Sequence, residues 1–409
     1  MIKDIEKQSI DLPISSSTKM YSPENQLLLC CIRYQLNSAK ASEVQDLLRT
    51  DLDWDILVQN AVRQNVFMLL YRTLKQNQSE GVPLSVFERI ENEAQKRMTY
   101  NLFLTNKLLQ VLKLFAEHSI QAIPFKGPIW AHLAYGNMGL REFSDLDVLV
   151  RPEDYSKAKD VLIEQGYYDK HFGGLEESIG EAQMVLPDGR VNIDLHYKLT
   201  PQNFYLQIET ESFFDNLQTL SLSGKEVATF SPENCLALGY LQGAKDSWNS
   251  LKRICDFGAL IQTYPEANWQ EVIAQCGTDE NDRVFLLGIA IAQTYLQISL
   301  PERFSEKLKQ FPEVVKVARQ HEEYMYHKNM EYGYIFLIIS LWERRENTLW
   351  SRLQYLLKII FHVNARDREL FPLPDLLFFL YYPLRIVRLI GKHKISKEKI
   401  SSLWSLFKG

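Results

Sequence analysis

The sequence predicts an α+β protein: a small mixed sheet flanked by N-terminal and C-terminal helical domains. Three observations carry this. Apolar residues recur at helical spacing over residues 23–118. From 121 to 230 the runs shorten and are punctuated by turn dipeptides. From 231 the helical spacing returns. With 409 residues the chain is long enough for two or three domains and a sizeable core.

Each segment has its own signals. Residues 1–22 are polar and Ser-rich and read as a mobile tail. Ser22 is a natural N-cap, with Pro23 at the first helical position. Trp54, Leu57, Val58, Ala61 and Val62 fall on one helical face, as do Leu102, Leu108, Leu109, Leu112 and Phe115, while Gly81-Val82-Pro83 interrupts the run. Residues 23–118 therefore read as four or five helices in one N-terminal helical domain.

In the central region, 119–230, strands are expected at 122–125, 145–150, 182–186, 191–196 and 217–230. Asp188-Gly189 and Ser223-Gly224 form hairpin turns. A helix opens at Pro152 with acids in its first turn and closes at Gly166. Ser231-Pro232-Glu233 starts the C-terminal helical domain, 231–370, with helices over 232–247, 250–263 and 268–276.

Residues 371–409 form a basic amphipathic tail, with Arg385, Arg388, Lys392, Lys394, Lys397, Lys399 and Lys408 against Asp375 and Glu398. Such a tail either packs one face on the bundle or makes a weak contact with an anionic membrane surface. The nearest approach to a membrane span, 371–390, is interrupted by Asp375, Arg385 and Arg388.

Composition narrows the function classes. An apolar fraction of 46%, a charged fraction of 24% and a net charge of −5 describe an ordinary globular protein with no global basic field, which argues against nucleic acid as its partner. The five cysteines, Cys30, Cys31, Cys235, Cys255 and Cys276, show no metal-ligand spacing and read as free thiols. With no leader-like N-terminus and no apolar span, they point to the cytoplasm.

The chemistry concentrates in residues 123–150. A short apolar strand runs into Lys126-Gly127-Pro128 and a helical segment, and a second strand opens with Asp145 and Asp147. Side chains two apart on a strand share a face, so the two carboxylates repel each other unless a cation lies between them. Asp194, in the strand 191–196, shares its own face with Asn192 and His196. Three carboxylates from adjacent strands can hold two hard cations such as Mg²⁺. A glycine at a strand-to-helix turn lets backbone N–H groups approach a phosphate. Lys126 and Arg141 add positive charge. One uninterrupted helix would also align Lys245, Trp248, Lys252 and Asp256 on one face, unless Asn249-Ser250 breaks it.

These elements resemble the polymerase-β-like nucleotidyltransferase superfamily, and more closely its uncharacterised nucleotidyltransferase family. The matching residues are Phe125-Lys126-Gly127, Leu140-Arg141, Ser144-Asp145-Leu146-Asp147 and Asp194-Leu195-His196. Asp53-Trp54-Asp55, Gly243-Ala244-Lys245 and Asp256 extend the match. The resemblance implies a magnesium-dependent enzyme that moves a nucleoside monophosphate from a nucleoside triphosphate such as ATP to a hydroxyl or phosphate acceptor, releasing pyrophosphate. It implies two Mg²⁺ ions on Asp145 and Asp147, with Asp194 as third ligand or general base. It places Lys126, Gly127, Arg141, Ser144 and Lys245 about the nucleotide. The acceptor it implies is open: a small molecule, sugar, peptide or protein.

Where superfamily members carry Gly-Gly or Gly-Ser at the turn, this chain has Lys126-Gly127-Pro128, so position 128 offers neither a hydroxyl nor an N–H. A catalytically degenerate nucleotide- or partner-binding protein of the same fold is the alternative. A glycosyltransferase would also use an Asp-x-Asp pair, but the Lys-Gly turn and the acid on a later strand argue against it.

Overall fold

The computed structural model describes residues 21–77, 81–170, 180–201, 206, 208–326 and 380–384. Nearly all of the N-terminal tail and most of the basic C-terminal tail, with its membrane-surface reading, lie outside the described residues.

Among the described residues five helices come first: α1 (Pro23–Gln35), α2 (Ala41–Leu48), α3 (Trp54–Arg63), α4 (Phe67–Gln76) and α5 (Leu84–Glu117). Ser22 caps α1, its hydroxyl accepting from the Asn25 N–H at 3.4 Å. The Asp53 carboxylate caps α3 by accepting from the N–H groups of Asp55 and Ile56. Pro83 precedes α5, which then runs unbroken for 34 residues. Midway along it the buried Asn101 donates to the carbonyls of Met138 and Arg141, both at 3.0 Å. This ties the loop ahead of the second strand to the longest helix.

The sheet contains β1 (Ala122–Phe125), β2 (Leu146–Val150), β3 (Tyr168–Asp169), β4 (Glu181–Val185) and β5 (Asn192–His196), in the order β1-β2-β5-β4-β3. Only the β2–β5 pair is parallel, so the sheet is mixed as expected. Between β1 and β2 lies α6 (Gly127–Leu133), and between β2 and β3 lies α7 (Tyr155–Glu164), led by a 3₁₀ turn at Pro152–Asp154. Val148, Ile193, Leu195, Ala182 and Met184 are buried on one side of the sheet. The segment expected at 217–230 is a separate hairpin, β6 (Gln218–Leu222) and β7 (Lys225–Thr229). Ser223 and Gly224 both have positive φ at its turn, the geometry that matches the twist of a two-residue hairpin.

Among the described residues, the C-terminal unit contains α8 (Pro232–Lys245), α9 (Leu251–Thr263), α10 (Trp269–Gln275), α11 (Arg283–Leu296), α12 (Glu302–Gln310) and α13 (Pro312–Tyr326). The continuous helix through 245–256 does not exist. α8 stops at Lys245, Ser247 and Trp248 take positive φ, and α9 restarts at Leu251. The break turns Trp248 into the core, against Tyr240 and Phe257. A Cβ on Gly243 would lie 2.2 Å from the Trp248 ring, which explains the glycine there. All five cysteines are buried free thiols. No helix among the described residues is long and apolar enough to cross a membrane.

Candidate active site

Strand register builds the site. Asp147 is the lateral partner of Asp194 across the parallel β2–β5 pair, and Phe125 is the partner of Asp147 across β1–β2. Within β4–β5, Gln183 faces Asp194 and Glu181 faces His196. Lateral partners share a face, so one side of the sheet carries Asp147, Asp194, His196, Glu181 and Gln183 in a block. Asp145 lies one residue before β2, half-buried, next to the Asn192 end of β5.

The block is crowded with charge. Lys126 Nζ donates to Asp147 Oδ1 at 2.5 Å, and His196 Nε2 lies 3.2 Å from the same oxygen. His196 Nδ1 reaches Glu181 Oε2 at 3.0 Å. Gln183 Nε2 donates to Asp194 Oδ1 at 3.4 Å. Burial opposes ionisation of Asp147, but Lys126 and His196 outweigh it and hold the carboxyl well below the usual range. Asp194 goes the other way: burial, then the neighbouring Asp147 charge, push it up to about 6. Burial would lower His196, yet its hydrogen bonds to Asp147 and Glu181 raise it to about 9. Glu181 is lowered because the His196 contact overrides its burial.

The turn that delivers Lys126 is strained. Lys126 has φ +52° and ψ −137°, a backbone conformation suited to glycine, and Gly127 follows at φ +32°. Lys126 O then accepts from Trp130 N–H at 2.9 Å, closing the first turn of α6.

Other residues named from the sequence sit differently. Arg141 is fully buried and forked onto Asp256, Nε to Oδ1 and Nη2 to Oδ2 at 2.9 Å each, with Nη1 donating to Gly127 O at 3.4 Å. Tyr135 donates its hydroxyl to Asp256 Oδ1 at 2.9 Å. Arg141 thus ties the turn to α9 rather than presenting its guanidinium to an open cleft. Ser144 is exposed beside Asp145, and Lys245 is exposed at the end of α8, where its charge is felt by Glu181.

Glu181 and Asn192 were not singled out as site residues from the sequence, yet a signal for Glu181 existed. Counting outward from Asp188-Gly189 along both strands sets Glu181 opposite His196.

Asp147, Asp194 and His196 offer ligand atoms within 4.8 Å of one another. Two adjacent carboxylates, one held off its ordinary ionisation by burial and then by the charge of the other, suit a hard divalent cation with oxygen ligands. Beside them, the Asn192 Oδ1 is a buried oxygen with no hydrogen-bond partner. The donor set therefore fits a metal.

A strand–turn–helix faces carboxylates on the next two strands of a small mixed sheet, the fold class expected of a nucleotidyltransferase. The chain belongs to the uncharacterised nucleotidyltransferase family, whose model matches residues 50–297. Among solved structures, it is similar to the antibiotic-resistance factor ANT(2'')-Ia, at 11% identity and TM-score 0.32 over 43% of this chain and 91% of that one. The lincosamide antibiotic adenylyltransferase LnuA, solved with lincomycin bound, matches at 17% identity and TM-score 0.24 over 32% and 81%. An antigenic nucleotidyltransferase-like protein from Paracoccidioides brasiliensis matches at 14% identity and TM-score 0.28 over 54% and 92%. No curated protein matches the chain.

Proposed function

We propose that the protein is a Mg²⁺-dependent nucleotidyltransferase that moves a nucleoside monophosphate from a nucleoside triphosphate to a hydroxyl or phosphate acceptor, releasing pyrophosphate. The lateral pairing of Asp147 with Asp194, with Asp145 at the mouth of the same row, carries this reading. Asp145, Asp147 and Asp194 would hold the ions, which would supply Lewis-acid stabilisation of the charge that develops during an in-line displacement. Asp194 either completes the ligand set or accepts the acceptor's proton, for which its raised carboxyl is suited. Lys126 and His196 keep Asp147 ionised and oriented between nucleotide turn and sheet. Gly127 and the start of α6 lie where the phosphates approach, while Ser144 and Lys245 stand at the rim.

The direct test is pyrophosphate release by the full chain with Mg²⁺ and each nucleoside triphosphate across a broad acceptor panel. Release well above that of an Asp145→Asn/Asp147→Asn control is expected. Equal release from both proteins sinks the reading.

One observation favours a second reading. The Lys126 ammonium rests on the carboxylate that a catalytic ion needs, as in a degenerate relative that binds a nucleotide or a partner without turnover. That protein would bind Mg-nucleotide in calorimetry yet release no pyrophosphate even with its true acceptor.

A further inference from the structure

Lys252 stands out among the charged groups that the reaction above leaves unused. It lies in the first turn of α9, whose start is fixed from the N-terminal unit: Leu251 N–H donates to Gln64 Oε1 at 3.0 Å and Lys252 N–H to Gln64 O at 3.3 Å. One turn further on is Asp256, the acid a lysine at this position would ordinarily pair with. Asp256 is already committed, however, with both oxygens on the Arg141 fork and one also on Tyr135. The adjacent Arg253 has its own partner, Asp246, at 3.0 Å.

Lys252 is thus a mostly enclosed amine with no side-chain hydrogen bond or ion pair among the described residues. The charges it feels are Arg141, Asp256, Arg253 and Asp145. Burial, then Arg141, pull its pKa down to about 8. An enclosed cation is costly unless an anion joins it. The acid among these neighbours that is not ion-paired is Asp145, the residue at the mouth of the carboxylate row.

We propose that Lys252 binds the β- and γ-phosphates of the donor nucleotide. This rests on the nucleotidyltransferase reading and assigns a residue to the leaving group. In transfer, the bond from the acceptor oxygen to the α-phosphorus forms, the bond from that phosphorus to the bridging oxygen breaks, and the acceptor's proton goes to Asp194 or to water. Pyrophosphate departs with the electron pair. An ammonium waiting beside the leaving oxygens stabilises that developing charge without having to reorganise. The break at Ser247 and Trp248 matters here, because it lets α9 start afresh one turn before Asp256, whose Arg141 partner donates to Gly127 O in the turn ahead of α6.

The test is calorimetry on the full chain with Mg²⁺ and α,β-methylene analogues of the four nucleoside triphosphates, with pyrophosphate, and with the matching monophosphates. Wild type, Lys252→Met and Lys252→Arg are compared. Lys252→Met should weaken the triphosphate analogue and pyrophosphate tenfold or more, leave the monophosphate within about twofold, and melt no lower than wild type. Lys252→Arg should recover most of the loss. Unchanged analogue binding by Lys252→Met overturns the proposal and moves the anion to the acceptor. An equal loss for all three ligands together with a lower melting temperature overturns it in favour of a structural lysine. If a folded wild-type chain binds none of the four analogues, the nucleotidyltransferase reading fails and takes this assignment with it.

Discussion

Two buried charge clusters lie within a few residues of each other in this protein, and they are built on opposite principles. In one, Arg141, Asp256 and Tyr135 satisfy one another through a bidentate fork and a phenolic hydrogen bond. Burial opposes the Asp256 charge, but Arg141 outweighs it and leaves the carboxyl below its ordinary range. In the other, Asp147 is shared by Lys126 and His196 while Asp194, beside it, has only a long amide contact among the described residues and is pushed up to about 6. Burial and charge are common to both. What separates them is completeness. The first needs nothing from outside, and the second holds a carboxylate that the protein itself leaves under-compensated. Unfinished electrostatics of this kind, rather than buried charge as such, marks a site that waits for a ligand.

The contrast can be broken by experiment. The largest effect is expected for Asp147→Asn, which should lower nucleotidyl transfer by ~10³-fold or more, since residues that act as one unit fail together; steady-state pyrophosphate release measures it. Next, Asp256→Ala leaves the Arg141 guanidinium buried without its partner and should cost ~3–5 kcal/mol in urea unfolding. A similar stability loss for Asp147→Asn, with turnover retained, would erase the distinction between the clusters.

Asp194 gives a third, pH-dependent effect. Its folded carboxyl is raised, so its stabilising contribution is present below the unfolded value and is lost as pH rises through about 6. The rise from 3.8 to about 6 corresponds to ~3 kcal/mol. Relative to Asp194→Asn, metal-free wild type should therefore lose stability between about pH 4 and 7 in denaturant titrations at each pH. Because a proton and a cation compete for the same carboxylate, Mg²⁺ affinity should climb over the same interval in calorimetry. A flat profile in both experiments would remove Asp194 from the cluster.

The smallest effect belongs to Gly127→Ala. The added Cβ meets Asp145 O at 3.6 Å and the Phe143 ring at 4.0 Å, both ordinary contacts, so the cost is the positive φ, about 1 kcal/mol in thermal or urea unfolding.

Much of this was readable before any coordinates. The mixed sheet, its flanking helices, the cap at Ser22, the cap at Ser231, whose hydroxyl accepts from the Asn234 N–H, and the hairpin at Asp188-Gly189 all follow from local chemistry, because periodicity and turn residues act over a few positions. That Asp194 and His196 share a face was readable too, since alternation along a strand fixes which side chains point the same way. The Arg141–Asp256 fork was not. Its partners are 115 residues apart, and no short-range pattern announces such a pairing. The end of α8 was also hidden, because the penalty for positive φ at Ser247 and Trp248 is offset by burying the indole in a core that only the folded chain assembles. The Lys126 backbone belongs with these. A lysine gives no local hint that it will adopt a glycine-like conformation, and here its ammonium is anchored on Asp147.

The antiparallel pairing of β1 with β2 has a consequence for how such a chain can change. Phe125 lies opposite Asp147 because of the strand ladder, whatever length of chain connects the two. The connecting segment is therefore a place where residues can be gained or lost over evolutionary time without moving the turn relative to the acids. A single residue added within either strand would instead turn the acids to the other side of the sheet. Variation between relatives should accumulate as length in the connector and as near-invariance of length in the strands, so that new acceptors can be accommodated around a charge constellation that stays fixed.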